Sequence, residues 1–108
     1  MKISELKLMT GGWFIGDFEP TLLRTKDFEI AIKRYKAGDE ELAHIHKVAM
    51  EYTAVVSGVI AMNNQIVENG KIVTIAPNEV VHFKAISDSI TVVVKTPSVI
   101  GDKYIVGE

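Results

Sequence analysis

The chain contains no cysteine, which excludes disulfides, thiolate metal sites and cysteine nucleophiles. It is also poor in proline and in aromatic residues, with three prolines and 7% aromatics among 108 residues. Pro20, Pro77 and Pro97 are too few, and Gly/Ser tracts and charge blocks too scarce, to mark a linker, so residues 1–108 are expected to form a single domain. Twelve Lys and Arg against fourteen Asp and Glu give a net charge of -2, and the basic residues are scattered, with Lys33-Arg34 the one adjacent pair. With no basic stripe to neutralise phosphates, nucleic acid is not an expected partner. The longest apolar stretch, Ala54 to Met62, is broken by Ser57 and Gly58 and is far too short to span a bilayer. Lys2, Glu5 and Lys7 interrupt the first twelve residues, unlike a signal peptide. The expectation is a soluble, cytoplasmic protein with no membrane partner.

What the chain does have is Val and Ile, in runs of four to nine residues bounded by Gly, Asn, Asp or Pro. That is the strand signature, and helical periodicity is weak throughout. Strands are predicted at 22–25, 28–36, 50–57, 59–62, 65–68, 71–75, 80–86 and 90–95, with a final extended piece at 103–106. Asn63-Asn64 and Asn69-Gly70 suit two-residue hairpin turns, because both residue types accept positive φ at low cost. So many short strands at this spacing predict an all-β antiparallel sandwich or closed barrel. Ile90-Thr91-Val92-Val93-Val94 does not alternate with polar residues, so both its faces are expected to be covered. A homodimer partner is favoured slightly over the N-terminal segment or the monomer's own interior.

The three histidines carry the chemistry. In an extended strand His44 and His46 point to one face, about 6.6 Å apart at the backbone. Glu51 follows with room for a short turn that returns its carboxylate to the same point, giving the two-imidazole, one-carboxylate arrangement used for Fe(II) and Mn(II). Pro77 and Asn78 fit the centre of a β-turn feeding the strand that carries His82, and if that strand lies beside the first motif His82 becomes a fourth ligand, with Val81 and Phe83 facing away. Taken one at a time these residues have ordinary readings: a hydrogen-bonded strand histidine, a solvated glutamate. It is their joint spacing that points to a metal.

The spacing Gly38-x5-His44-x-His46-x4-Glu51-x6-Gly58 resembles the first cupin motif at every position. Gly70, Pro77 and His82 resemble the second, with one extra residue between Gly70 and Pro77, Glu79 where the family usually has glycine and Ile86 where it often has asparagine. The resemblance covers most of the chain and implies a small jelly-roll barrel, the double-stranded β-helix of a stand-alone cupin. It further implies that His44, His46, Glu51 and His82 bind a divalent metal inside that barrel. Fe, Mn, Zn, Ni, Co and Cu all occur in the family, and the resemblance does not choose among them.

Lys84 shares the parity of His82, which makes it the candidate to hold an anionic substrate group or carry a proton; the competing reading is a lysine snorkelling to solvent, and Lys95 is read the same way. Tyr35 and Tyr52 are expected to pack, with Tyr52 facing away from the site, and Asp39, Glu40 and Glu41 are expected to form a solvated acidic loop. Trp13, Phe14 and Phe18 concentrate aromatic character in a segment suited to cover a barrel face, a dimer partner or its own core. Two functions follow from the resemblance. One is a metal-dependent enzyme acting on a small polar molecule, as a dioxygenase or as a sugar isomerase, epimerase or lyase; the other is a non-catalytic module that binds or senses a small ligand.

Overall fold

The structure is a computed structural model and describes residues 1–107. Ten strands follow two short 3₁₀ turns at Leu6–Leu8 and Thr10–Gly12: β1 (Trp13–Ile15), β2 (Glu29–Tyr35), β3 (Glu40–Ile45), β4 (Met50–Ser57), β5 (Val59–Met62), β6 (Gln65–Glu68), β7 (Ile72–Ile75), β8 (Val81–Ala85), β9 (Ser89–Thr96) and β10 (Tyr104–Ile105). They form two five-stranded sheets, β1-β2-β9-β4-β7 and β10-β3-β8-β5-β6, with every pairing antiparallel. The sheets face each other as a jelly roll, the double-stranded β-helix; among the described residues no hydrogen-bonded ladder joins one sheet to the other, so the expected barrel is an open sandwich. No helix among them is long and apolar enough to cross a membrane.

Local chemistry explains most boundaries. β4, β5 and β6 occupy the predicted residues. Asn63 and Asn64, both at positive φ, close the β5–β6 hairpin, where Met62 pairs with Gln65. Asn69-Gly70 turns the chain as well, but the strands it joins lie in different sheets, since β6 pairs with β5 and β7 with β4. It is a crossing point between layers and no hairpin. Gly58 is required between β4 and β5: at φ 85° a Cβ would stand 2.2 Å from the Asp88 carbonyl oxygen. The Pro77-Asn78 turn forms as expected, with Asn78 at positive φ and Glu79 N–H donating to the Ala76 carbonyl.

The N-terminal third departs from expectation. Leu22 and Leu23 form a bend and residues 24–25 are irregular; Leu22 and Leu23 bond to the backbone of Phe14 and Gly16 without entering a ladder. Instead Trp13-Phe14-Ile15 becomes the edge strand β1 beside β2. Leu6, Met9, Phe14 and Leu22 gather around Ile32 on the outer side of β2, so the N-terminal segment covers that part of the first sheet. Ile90, Val92 and Val94 of β9 face the same outer side and are only half-buried. The core between the sheets is built from Val55, Ile60, Met62, Ile75, Val81, Phe83 and Ala85.

Candidate functional site

β3 determines which side chains reach the space between the sheets. Glu41 pairs with Phe83 and His44 with Val81, so three residues on β3 span two on β8. This bulge shifts the parity of β3 by one. Glu41, His44 and His46 consequently all line one cavity, while Leu42 is exposed. His44 and His46 are 5% and 4% exposed, with ring centroids 5.2 Å apart. Glu51 enters the same cavity from β4 and is also buried. His44, His46 and Glu51, drawn together by the sequence spacing, thus line one cavity.

His82 does not join them. Val81, Phe83 and Ala85 are all core residues, and the two-residue period of a strand then turns His82 and Lys84 to the opposite face. There His82 is 42% exposed at its side chain and stands 3.5 Å from Glu40, which also faces Lys84 at 3.6 Å. The expectation that Val81 and Phe83 face away from the site is therefore reversed: these two line the cavity, and His82 and Lys84 lie outside it. The alternation of apolar 81, 83 and 85 with polar 82 and 84 was the signal in the sequence, and burying a phenylalanine outweighs burying a histidine.

Lys95 takes up the centre. It is the inward-facing partner of Glu51 across β4 and of Glu29 across β2, and its Nζ reaches the other sheet, 3.0 Å from His46 Nε2. The ammonium can only donate, so Nε2 accepts and the ring proton of the neutral imidazole sits on Nδ1, which faces Glu51 Oε1 at 3.8 Å. Burial, reinforced by Lys95 and His44, pushes the His46 imidazole down to about 4, so it is uncharged at neutral pH. His44 Nδ1 donates to the Leu42 carbonyl at 2.8 Å. Glu51 Oε2 accepts from the Thr53 hydroxyl at 2.8 Å.

The loop between His46 and Glu51 is held by a residue the sequence reading passed over. Asp102 accepts the backbone N–H groups of Lys47, Val48 and Ala49 at 2.8 to 3.2 Å. Burial alone raises its carboxyl; these three hydrogen bonds outweigh that and hold it below the usual aspartate value. The Pro77 turn adds a second tie, Asn78 N–H to the His46 carbonyl at 2.7 Å.

Around this centre the cavity, of about 100 Å³, is lined by Trp13, Lys33, Tyr35 and Thr91 from the first sheet, with Lys103 from the segment leading into β10. Tyr35 packs on Phe83 at 4.4 Å, as a packing residue should, and burial raises its phenol. Glu41, expected in a solvated loop, faces the cavity; Tyr52 faces away as expected.

The donors present do not make the four-ligand set. His82 is outside, His46 Nε2 is engaged by an ammonium, and among the described residues no group of three or more His, Asp and Glu is arranged to hold an ion. The arrangement suits binding of a small polar molecule and movement of a proton between an ammonium and a neutral imidazole.

Sequence comparison finds no matching family model and no matching curated protein. Solved structures do match. An uncharacterized conserved protein with a double-stranded beta-helix domain from Klebsiella pneumoniae superposes with TM-score 0.71 at 21% identity, over 81% of this chain and 76% of that one. KdgF from Halomonas sp. gives 0.63 at 16%, over 69% and 74%. Oxalate decarboxylase from Bacillus subtilis, a protein with Mn(II) centres, gives 0.65 at 13%, over 75% of this chain and 24% of that one. RmlC-like cupins from Shewanella frigidimarina and Desulfovibrio desulfuricans are among the further matches. The chain has the cupin fold, a double-stranded β-helix.

Proposed function

We propose that this protein is a small-molecule cupin that takes a small polar ligand between its sheets, with the Lys95 ammonium supplying the positive charge at the centre of the site. The 3.0 Å contact between Lys95 Nζ and His46 Nε2 carries this reading. It puts a fixed cation where the resemblance implies a metal, beside Glu51 and His44. The cavity is far below the roughly 300 to 1,000 Å³ of sites for drug-sized ligands, so the ligand has only a few non-hydrogen atoms.

Turnover is the second reading, favoured by the same pair. An ammonium hydrogen-bonded to a neutral imidazole can hand a proton to a bound molecule and recover it, which is general acid–base chemistry of the lyase or isomerase kind. A homodimer belongs to the proposal too: Ile90, Val92 and Val94 on the outer side of β9, continuous with Tyr52 and Val56 of β4, support a second copy against the first sheet.

Metal analysis of protein purified without chelators, alongside His46→Ala, tests the central claim. Far less than one metal per chain in both proteins is expected. A stoichiometric metal that His46→Ala loses would overturn the role given to Lys95.

A further inference from the structure

Resting on the reading of the cavity as a small-molecule site, we infer that its ligand is a short carboxylic acid bearing a hydroxyl or keto oxygen, the carboxylate held by Lys33 and Lys95 and the second oxygen by the Thr91 hydroxyl. Three observations lead there. Lys33 is an inward-facing, partly buried cation with no hydrogen bond or ion pair to any described residue, and burial, its main perturbation, lowers its pKa. An ammonium in that state gains from an anion.

The two ammonium groups are gathered by one indole. Lys33 Nζ lies 5.3 Å and Lys95 Nζ 4.9 Å from the Trp13 ring centroid, within cation–π range. Trp13 thus lies beside both ammonium groups, on a cavity that Glu41 and Glu51 also line. Counting all charged side chains on the cavity, Lys33, Lys95 and Lys103 face Glu41 and Glu51, and Glu51 is already engaged by Thr53. The balance favours a single negative charge.

Thr91 fixes the rest of the ligand. It is fully buried, lines the same cavity, and its hydroxyl is the buried side-chain polar atom left without a partner among the described residues. Such an orphan costs on the order of 1 to 3 kcal/mol unless something fills the role. Thr91 is the direct cross-strand partner of Lys33, so their side chains start about 5 Å apart on one face. A 2-hydroxy or 2-oxo acid would offer its carboxylate to Lys33 and its adjoining oxygen to the Thr91 hydroxyl on the same cavity.

Trp13 is the sole tryptophan, so its fluorescence reports on this cavity. Lactate, pyruvate, propionate and the neutral analogue 1,2-propanediol are titrated at constant ionic strength into wild type, Lys33→Met and Thr91→Val, with circular dichroism confirming that each variant is folded. Lactate and pyruvate are expected to saturate the signal, the diol to bind at least about tenfold more weakly, Lys33→Met to lose about tenfold for both acids, and Thr91→Val to weaken lactate while leaving propionate unchanged. Binding of the acids by Lys33→Met as tight as by wild type overturns the inference. So does a diol that binds as well as lactate, although the small-molecule reading then stands. Absence of saturable binding by every compound sinks both. Should Lys33→Met fail to fold, the lactate-against-diol comparison on wild type decides alone.

Discussion

Lys95 Nζ stands 3.0 Å from His46 Nε2, joining the two sheets across the middle of the cavity. One lysine thereby fixes the tautomer of the imidazole and keeps it neutral, with burial as the larger cause. The site is organised by a charge that belongs to the chain itself.

Acid should weaken the fold through His46. Its folded value of about 4 lies below the ordinary 6.5, so the unfolded chain binds the proton more readily. The stabilisation is complete above pH 6.5 and drains away as pH falls toward 4, by on the order of 3 kcal/mol in all. Urea unfolding of wild type and His46→Gln across this window checks it: the wild-type stability should fall more steeply than that of the variant. Parallel curves would contradict a neutral, buried His46.

Asp102→Asn should destabilise the protein by about 1 to 3 kcal/mol, because an amide cannot accept three backbone N–H groups as a carboxylate does. The depressed carboxyl contributes its stability above the ordinary value of 3.8 and loses it as pH falls through the folded value. Hydrogen exchange at Lys47 to Ala49 locates the effect; unchanged protection there would remove Asp102 from its positioning role.

His82→Gln should leave stability within about 0.5 kcal/mol and leave cavity binding intact, since its contact with Glu40 is an exposed pair. Thermal melts with and without lactate measure both. A loss of ligand binding would mean that His82 reaches the site in solution.

Thr91→Val should raise the stability of the ligand-free protein by about 1 kcal/mol, replacing an unpartnered buried hydroxyl with a methyl of similar shape. The midpoint of chemical denaturation reads this directly. A decrease of the same size would indicate that the hydroxyl has a partner.

The strands at 50–57, 59–62 and 65–68 were legible because Val/Ile runs meet Gly and Asn at their ends, and those residues decide backbone dihedrals locally. β1 was not, since Trp13-Phe14-Ile15 has no alternation of its own and becomes a strand only because the edge of β2 is open. The meeting of His44, His46 and Glu51 was readable from spacing, although it depends on a bulge that spacing alone does not reveal. His82 lies outside the site although its spacing matches the motif, because burial of Val81, Phe83 and Ala85 turns the residues between them to the opposite face.

The sequence by itself determined the β architecture, most turns and the local pairing of two histidines with one glutamate, all properties of neighbours along the chain. Only the tertiary structure decided what stands opposite them. Lys33, Trp13, Thr91 and Lys95 are far apart in sequence, and strand register alone brings them to one cavity with His46, because a one-residue change in parity moves a side chain from one face of a sheet to the other.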